Sequence, residues 1–296
     1  MPGRVLLALL SVYLIWGSTY FAMRVAIAGM PPLFMAGVRY VIAGALIYGF
    51  LRWRGHVAPM RRQWRNAGLV GVFLLLGGNG AVGIAMDHGV NSALSATVVA
   101  ITPLCAALFA SLWGHRPTRR EWAGLGLGLA GVVLLKQGQG LEGSLLGFTM
   151  LLLAAISWSF GSMWGKHHEQ PSIWMASAVQ MLAGGAALFL ASLARGEPWV
   201  MPATAASAWA LVYLILIGAI VGFSSYVYLL ATVRPALATS YAYVNPLVAV
   251  VIGVWLGGET IDHAELLGLA VILSGVVLVC WPVTGGSAPT KGEGGA

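Results

Sequence analysis

Ser95-Ala96-Thr97-Val98-Val99-Ala100-Ile101-Thr102-Pro103-Leu104 returns, with small changes, as Ala238-Thr239-Ser240-Tyr241-Ala242-Tyr243-Val244-Asn245-Pro246-Leu247. Each copy lies within an apolar run of about 20 residues, the length that crosses roughly 30 Å of hydrocarbon as a helix. The register continues through Trp113-Gly114 and Leu256-Gly257. One inserted residue later, Glu121 aligns with Glu265, and the Gly-Val-Val-Leu run at 131–134 aligns with that at 275–278. The match predicts a chain made of two related halves.

Outward from this repeat, the composition is that of a membrane protein. The chain is 59% hydrophobic and 8% charged, whereas a soluble domain carries about one quarter charged residues. Ten apolar runs are expected as helical spans, near 5–26, 33–51, 66–86, 92–113, 121–136, 146–165, 171–193, 207–230, 236–257 and 264–282. Five spans per copy force the second copy to insert upside down relative to the first, the inverted-repeat plan of many secondary transporters. The predicted fold is therefore an all-α integral membrane protein with ten transmembrane helices in two inverted five-helix repeats, 1–136 and 146–282. The Gly-, Pro- and Ser-containing tail 283–296 is expected to be disordered and cytoplasmic.

The net charge of +7 is not a nucleic-acid signature, because the cations occupy alternate short loops. Twelve of the sixteen Lys and Arg fall on the side of the termini, including Arg52, Arg54, Arg61, Arg62, Arg65, Arg119 and Arg120. Only Lys136 and Arg195 fall on the other side, and Arg24 and Arg39 lie within spans. The positive-inside rule then places both termini in the cytoplasm of a cell-membrane protein.

Polar and bulky residues inside the spans are the candidates for function, since each is costly in lipid without a partner. Asn79 sits within Gly77-Gly78-Asn79-Gly80, where a ligand or another helix can come close. Tyr241 and Asn245 are four apart and share one helical face. Thr102 is the repeat-related position of Asn245, and Tyr226 lies on the eighth span. These five are the expected walls of a substrate cavity. Pro103 and Pro246 each remove a helical hydrogen bond and should kink the fourth and ninth helices. Trp16 and Ser18 on the first span have an echo at Trp158 on the sixth, which suits tight crossing or a gate. Glu259 follows Gly257-Gly258 at the end of span nine and reads equally as a gate contact or a solvated residue. Tyr13 and Tyr213, near helix ends, read as interface anchors. Cys105 and Cys280 lie in apolar runs and read as packing residues, with no metal-ligand spacing around them or the histidines.

Three segments carry a family resemblance. Tyr13-Leu14-Ile15-Trp16-Gly17-Ser18-Thr19-Tyr20-Phe21 resembles the first-helix signature of the EamA-type exporters of the drug/metabolite transporter superfamily. Pro32-Leu33-Phe34-Met35-Ala36-Gly37-Val38-Arg39-Tyr40 resembles its second-helix signature, with Arg39 at the family's arginine. Thr239-Ser240-Tyr241-Ala242-Tyr243-Val244-Asn245-Pro246, followed by Gly257-Gly258-Glu259, resembles its ninth-helix region. The resemblance covers the chain up to Trp281. It implies efflux of small metabolites, amino acids or amphipathic drug-like compounds across a bacterial inner membrane, with no organic cofactor. It favours a gating, packing or substrate-contacting role for Arg39.

The other classes fit less well. No HExxH, GxSxG or phosphate-cradling GxxxxGK[ST] occurs, so neither an enzyme nor an ATP-driven pump is indicated. A channel or a non-transporting assembly protein is the remaining alternative. No Asp or Glu falls at the centre of a span, which weakens the case for proton coupling without closing it. Proton coupling and a homodimer stay open.

Overall fold

A computed structural model describes residues 3–114, 118–136, 145–233, 235–258 and 260–280. All of its regular structure is helical. The helices are α1 Gly3–Ile27, α2 Pro32–Trp53, α3 Arg61–Asp87, α4 Ser92–Trp113, α6 Leu145–His167, α7 Ile173–Ala194 and α8 Ala205–Thr232, all long and apolar enough to cross a membrane. With them run α5 Arg119–Lys136, α9 Tyr241–Gly257 and α10 His263–Cys280, of 18, 17 and 18 residues. Each expected span thus coincides with a helix. Glu259, Arg116, Arg234 and the tail 283–296 lie outside the described residues.

Local chemistry sets the ends. Pro32 opens α2 at its first position, where a missing N–H costs nothing. Asn91 caps α4 by accepting from Leu94 N at 2.7 Å. α4 and α9 both close on a glycine in the left-handed region, Gly114 at φ 89° and Gly258 at φ 60°. The sequence register pairs Gly114 with Gly257; by helix ending its counterpart is Gly258, so the inserted residue falls before the cap.

The expected simple kinks are more severe than that. α4 stops at Val99, turns through Ala100 and Ile101, and restarts at Thr102. A four-residue turn, Pro235–Ala238, precedes α9 and is separated from it by a break at Thr239 and Ser240. Pro103 follows its break immediately, whereas Pro246 lies inside α9. Three further irregularities were not legible in the sequence: π-helical turns at Val12–Trp16 in α1, Val72–Gly80 in α3 and Leu214–Phe223 in α8. Such i→i+5 segments widen the helix and often mark functional sites.

Glycine-lined crossings hold the bundle. α2 packs along α7, α5 along α10, α3 along α6 and α7, α8 along α1 and α2, and α4 and α9 against each other and against α6 and α1 respectively. Exchanging each helix for the one five places on turns this set of pairings into itself. A Cβ on Gly44 would lie 2.9 Å from Leu182 N, and one on Gly185 would lie 2.9 Å from Val41 N. Gly44 and Gly185 differ by 141 in number, as do Val41 and Leu182, so the α2–α7 crossing has one register read from both sides. At the α3–α7 crossing a Cβ on Gly71 would stand 2.1 Å from Gln180 O. With no hydrophobic drive between helices in lipid, this close backbone approach supplies the cohesion.

Candidate functional site

α1, α3 and α9 converge with α2 and α6 around a narrow cavity of about 50 Å³. α1 presents Trp16, Thr19, Tyr20 and Met23, which share one face at helical spacing. α2 contributes Arg39, α3 contributes Gly78, Asn79 and Val82, and α9 contributes Tyr241 and Asn245. Val99 of α4 and Ala154 and Trp158 of α6 complete the wall.

Glycines decide where the two tryptophans sit. A Cβ on Gly78 would lie 2.7 Å from the Trp158 ring, and one on Gly222 would lie 2.7 Å from Trp16 Nε1. Seated in these notches, Trp16 and Trp158 meet edge to face with centroids 5.3 Å apart. Tyr226 and Tyr241 pack on Trp16 at 5.0 and 5.2 Å, so four aromatic rings close one side of the cavity. Beneath them runs a closed hydrogen-bond circuit. Trp158 Nε1 donates to Tyr226 OH at 3.2 Å, and Ser162 Oγ donates to Trp158 O at 2.7 Å. With its proton so used, Ser162 Oγ accepts from Tyr226 OH at 2.8 Å. The Trp158 indole N–H, the Tyr226 hydroxyl and the Ser162 hydroxyl are thus all engaged, and such networks stiffen a buried core.

Arg39 is the charged group of the wall and is 2% exposed. Its Nε donates to Leu214 O at 3.1 Å, at the start of the α8 π-helical segment. Its Nη1 donates to Asn79 Oδ1 at 3.4 Å, near the end of the α3 π-helical segment. The guanidinium carbon stands 4.7 Å from the centroid of the Tyr40 ring. Gly218 makes room for it, since a Cβ there would fall 2.8 Å from Arg39 Nη2. Both partners are neutral, and among the described residues no carboxylate belongs to the cavity wall. Asn245 Oδ1 is buried and has no hydrogen-bond partner. The cavity therefore offers a cation with unused donors, an unused acceptor and aromatic surface.

Of the residues singled out in the sequence, the structure brings Asn79, Tyr241, Asn245, Trp16, Trp158 and Arg39 into one wall. Tyr226 stands behind it, fully buried in the aromatic cluster. Thr102 lies off the wall: its hydroxyl donates to Val99 O at 2.6 Å, and its carbonyl accepts from Ser159 Oγ at 2.8 Å across the break in α4. Ser18 also turns away, bonding Ile15 O and Tyr213 OH. Pro103 is buried outside the cavity lining, and Pro246 lies one residue beyond Asn245. Glu259 lies outside the described residues. Tyr13 and Tyr213 are not free interface anchors. Tyr13 OH bonds Ser240 Oγ and Tyr213 OH bonds Ser18 Oγ, both at 2.6 Å, tying α1 to the segment entering α9 and to α8. Thr19, Tyr20 and Met23 were missed, although spacing from Trp16 along α1 carries that signal.

A helical bundle around a buried polar and aromatic cavity is the build of a polytopic membrane carrier. The description "EamA-like transporter family" matches this chain twice, over residues 3–136 and 145–281. The chain belongs to that family: it is a multi-pass transporter of the bacterial inner membrane and not an enzyme. It is 46% identical over 272 residues to YedA of Escherichia coli strain K12, an inner membrane transporter named as uncharacterized, covering 92% of this chain and 89% of that one. It is 25% identical over 293 residues to a protein of the same strain described as a probable amino-acid metabolite efflux pump, covering 92% and 93%. A solved crystal structure superposes on 94% of this chain and 97% of its own with TM-score 0.68 at 22% identity, a likeness of fold alone.

Proposed function

We propose that the protein exports small amphipathic metabolites by alternating access through the cavity bounded by Arg39, Asn79, Tyr241, Asn245 and the Trp16–Trp158 pair. The carrying observation is that cavity: Arg39, Asn79 and Asn245 line it together with Trp16, Trp158 and Tyr241, and Tyr226 packs against those aromatic rings. Ten spans in two inverted halves, 1–136 and 146–282, with both termini cytoplasmic, are the proposed architecture. Its support is the double family match, the self-mapping helix pairings and the shared 141-residue register at the α2–α7 crossing. In this reading the aromatic cluster is the closed gate, and rocking of one half against the other moves the opening to the opposite face. Thr102, Ser18, Pro103, Pro246 and Tyr226 then support the helix breaks and crossings around the cavity. Glu259 is proposed as a contact at the end of α9. The efflux description of the relative from Escherichia coli supports the outward direction.

The test is uptake of a labelled panel of amino acids, organic acids and cationic amphiphiles into inside-out vesicles, with and without a pH gradient. Saturable uptake that disappears in Asn245→Ala is the expected result. Flux that rises linearly with concentration would mean a channel, and no flux for any solute with folded protein would overturn the transport reading of this cavity. Dependence on the gradient would establish proton coupling.

A further inference from the structure

We infer that the groove between the end of α2 and the start of α7 binds an anionic phospholipid from the leaflet that the basic loop 52–65 faces. Its phosphate is received by Arg54 and His56, and an acyl chain lies along the groove. This is a site for a membrane component, separate from the central cavity and from whatever that cavity carries.

The two ends of the α2–α7 pair are built alike. Pro32 and Ile173 open the helices, Trp53 and Ala194 close them, and Gly55 and Gly196 follow at φ 81° and 68°, each pair 141 apart in number. The turns repeat bond for bond: His56 N donates to Leu51 O, and Glu197 N to Ser192 O, both at 3.0 Å. Arg54 is therefore the counterpart of Arg195, and His56 of Glu197. After α7 the chain supplies its own anion. Glu197 accepts from Leu33 N and Phe34 N at the start of α2, and Arg195 Nε lies 3.9 Å from its carboxylate. After α2 the arginine is kept and the carboxylate is replaced by an imidazole. The matching start of α7 has no acidic residue in its first turn, and Ser172 at its N-cap makes no side-chain cap bond.

A groove of about 590 Å³ opens at this place. Leu46, Ile47 and Phe50 of α2, Trp174 of α7 and Ile220 of α8 form its apolar length. Arg54 and His56 stand in the same wall, about 12 Å from Leu46 along α2. The groove is thus polar at the helix ends and apolar toward mid-span, the order of a lipid lying in its leaflet. The Arg54 guanidinium lies over Phe50 and Trp53, 5.6 and 6.0 Å from the ring centroids, which holds the cation at the mouth.

Charge selects the occupant. Among the described residues no carboxylate lines the groove. Glu169, on the same side of the bundle, is engaged by Arg62 at 3.7 Å and by Gln63 at 3.1 Å. Arg52, Arg61 and Arg65 add positive charge around the mouth. Basic pockets beside membrane helices at headgroup depth are where anionic lipid headgroups bind. A choline lipid would bring a further cation beside Arg54, and a free phosphate would leave the apolar length of the groove unfilled.

The experiment titrates the full chain, purified in a neutral detergent, with phosphatidylglycerol, with phosphatidylcholine of the same chains and with inorganic phosphate. Bound lipid is counted by native mass spectrometry, and melting is followed in parallel. Wild-type protein is expected to hold phosphatidylglycerol at least about fivefold more tightly than phosphatidylcholine, the worth of one basic residue at an anionic surface. R54Q is expected to lose that preference. H56E, which sets a carboxylate at the counterpart of Glu197, is expected to lose it too and to melt higher than wild type without lipid. R120Q, at the exposed start of α5, is expected to keep it. Arg54 and His56 are exposed, so their variants keep the fold. An intact preference in R54Q overturns the inference. So does equal loss in R54Q and R120Q, which means diffuse attraction to a basic surface, or stabilisation by inorganic phosphate equal to that by the lipid. None of these outcomes touches the transport reading, which the vesicle panel tests separately.

Discussion

Trp16 of α1 and Trp158 of α6 meet edge to face with ring centroids 5.3 Å apart and planes at 87°. The two stand at matching places in the first helix of each proposed half, so the halves touch through equivalent side chains where the cavity ends. If they form one gate, their substitutions couple. Trp16→Phe, Trp158→Phe and the double variant are expected to show a coupling of about 0.5–1.5 kcal/mol in thermal or denaturant unfolding. Trp158→Phe is expected to cost more than Trp16→Phe, because it strands Tyr226 OH without its Nε1 donor. Strict additivity would mean that the pair is in contact without being coupled.

Gly218 is the notch in which Arg39 lies, with a Cβ position 2.8 Å from Nη2. Gly218→Ala is expected to push the guanidinium aside at modest cost to the fold, since the new methyl meets the far end of the Arg39 side chain at 2.8 Å and the Thr19 methyl at 3.0 Å, and neither is backbone. Flux should fall by about tenfold, with an unfolding change under about 1 kcal/mol. Unchanged flux would remove Arg39's placement from the account of transport.

The α3–α7 crossing separates tolerant from intolerant glycines. Gly71→Ala sets a methyl against the Gln180 backbone, which cannot rotate away, and is expected to destabilise by about 1–3 kcal/mol or to prevent folding. Gly68→Ala on the same helix meets only the Ala183 Cβ at 3.4 Å and is expected to be neutral or slightly stabilising. Melting of the purified variants in detergent checks the contrast, and equal effects would contradict the crossing geometry.

Glu197 closes the start of α2 from the loop after α7. Its Oε2 accepts from Phe34 N at 2.9 Å and its Oε1 from Leu33 N at 3.4 Å, with Arg195 Nε 3.9 Å away. Glu197→Ala is expected to cost about 0.5–2 kcal/mol, the range of a helix cap. Glu197→Gln should recover part of the cost, as the amide keeps one acceptor and loses the charge.

Cysteine accessibility distinguishes Asn245 from Thr102. In a background lacking Cys105 and Cys280, Asn245→Cys is expected to react with a membrane-impermeant thiol reagent and to be protected by substrate. Thr102→Cys, whose native side chain is buried against Val99 O, is expected to stay inert. The reverse pattern would move the cavity from α9 to α4.

The sequence by itself determined the membrane class, the placement of the helices, the repeat and the family. Those signals are local: apolar length, prolines, basic loops and short signatures are all read along one chain segment. It also marked Asn79, Asn245, Arg39 and the two tryptophans, because polar or bulky groups inside a span stand out against their neighbours. Only the tertiary structure decided which of them share a wall. Thr102 and Asn245 occupy matching positions in the repeat, yet α4 breaks immediately before Thr102 while α9 runs unbroken through Asn245; the Thr102 hydroxyl bonds its own backbone, and Asn245 lines the cavity. Three π-helical turns rotate α1, α3 and α8, and no periodicity in the residues announces them. Side-chain direction in a packed bundle depends on helix rotation and on which glycine faces which neighbour, and both arise from contacts between segments far apart in the chain.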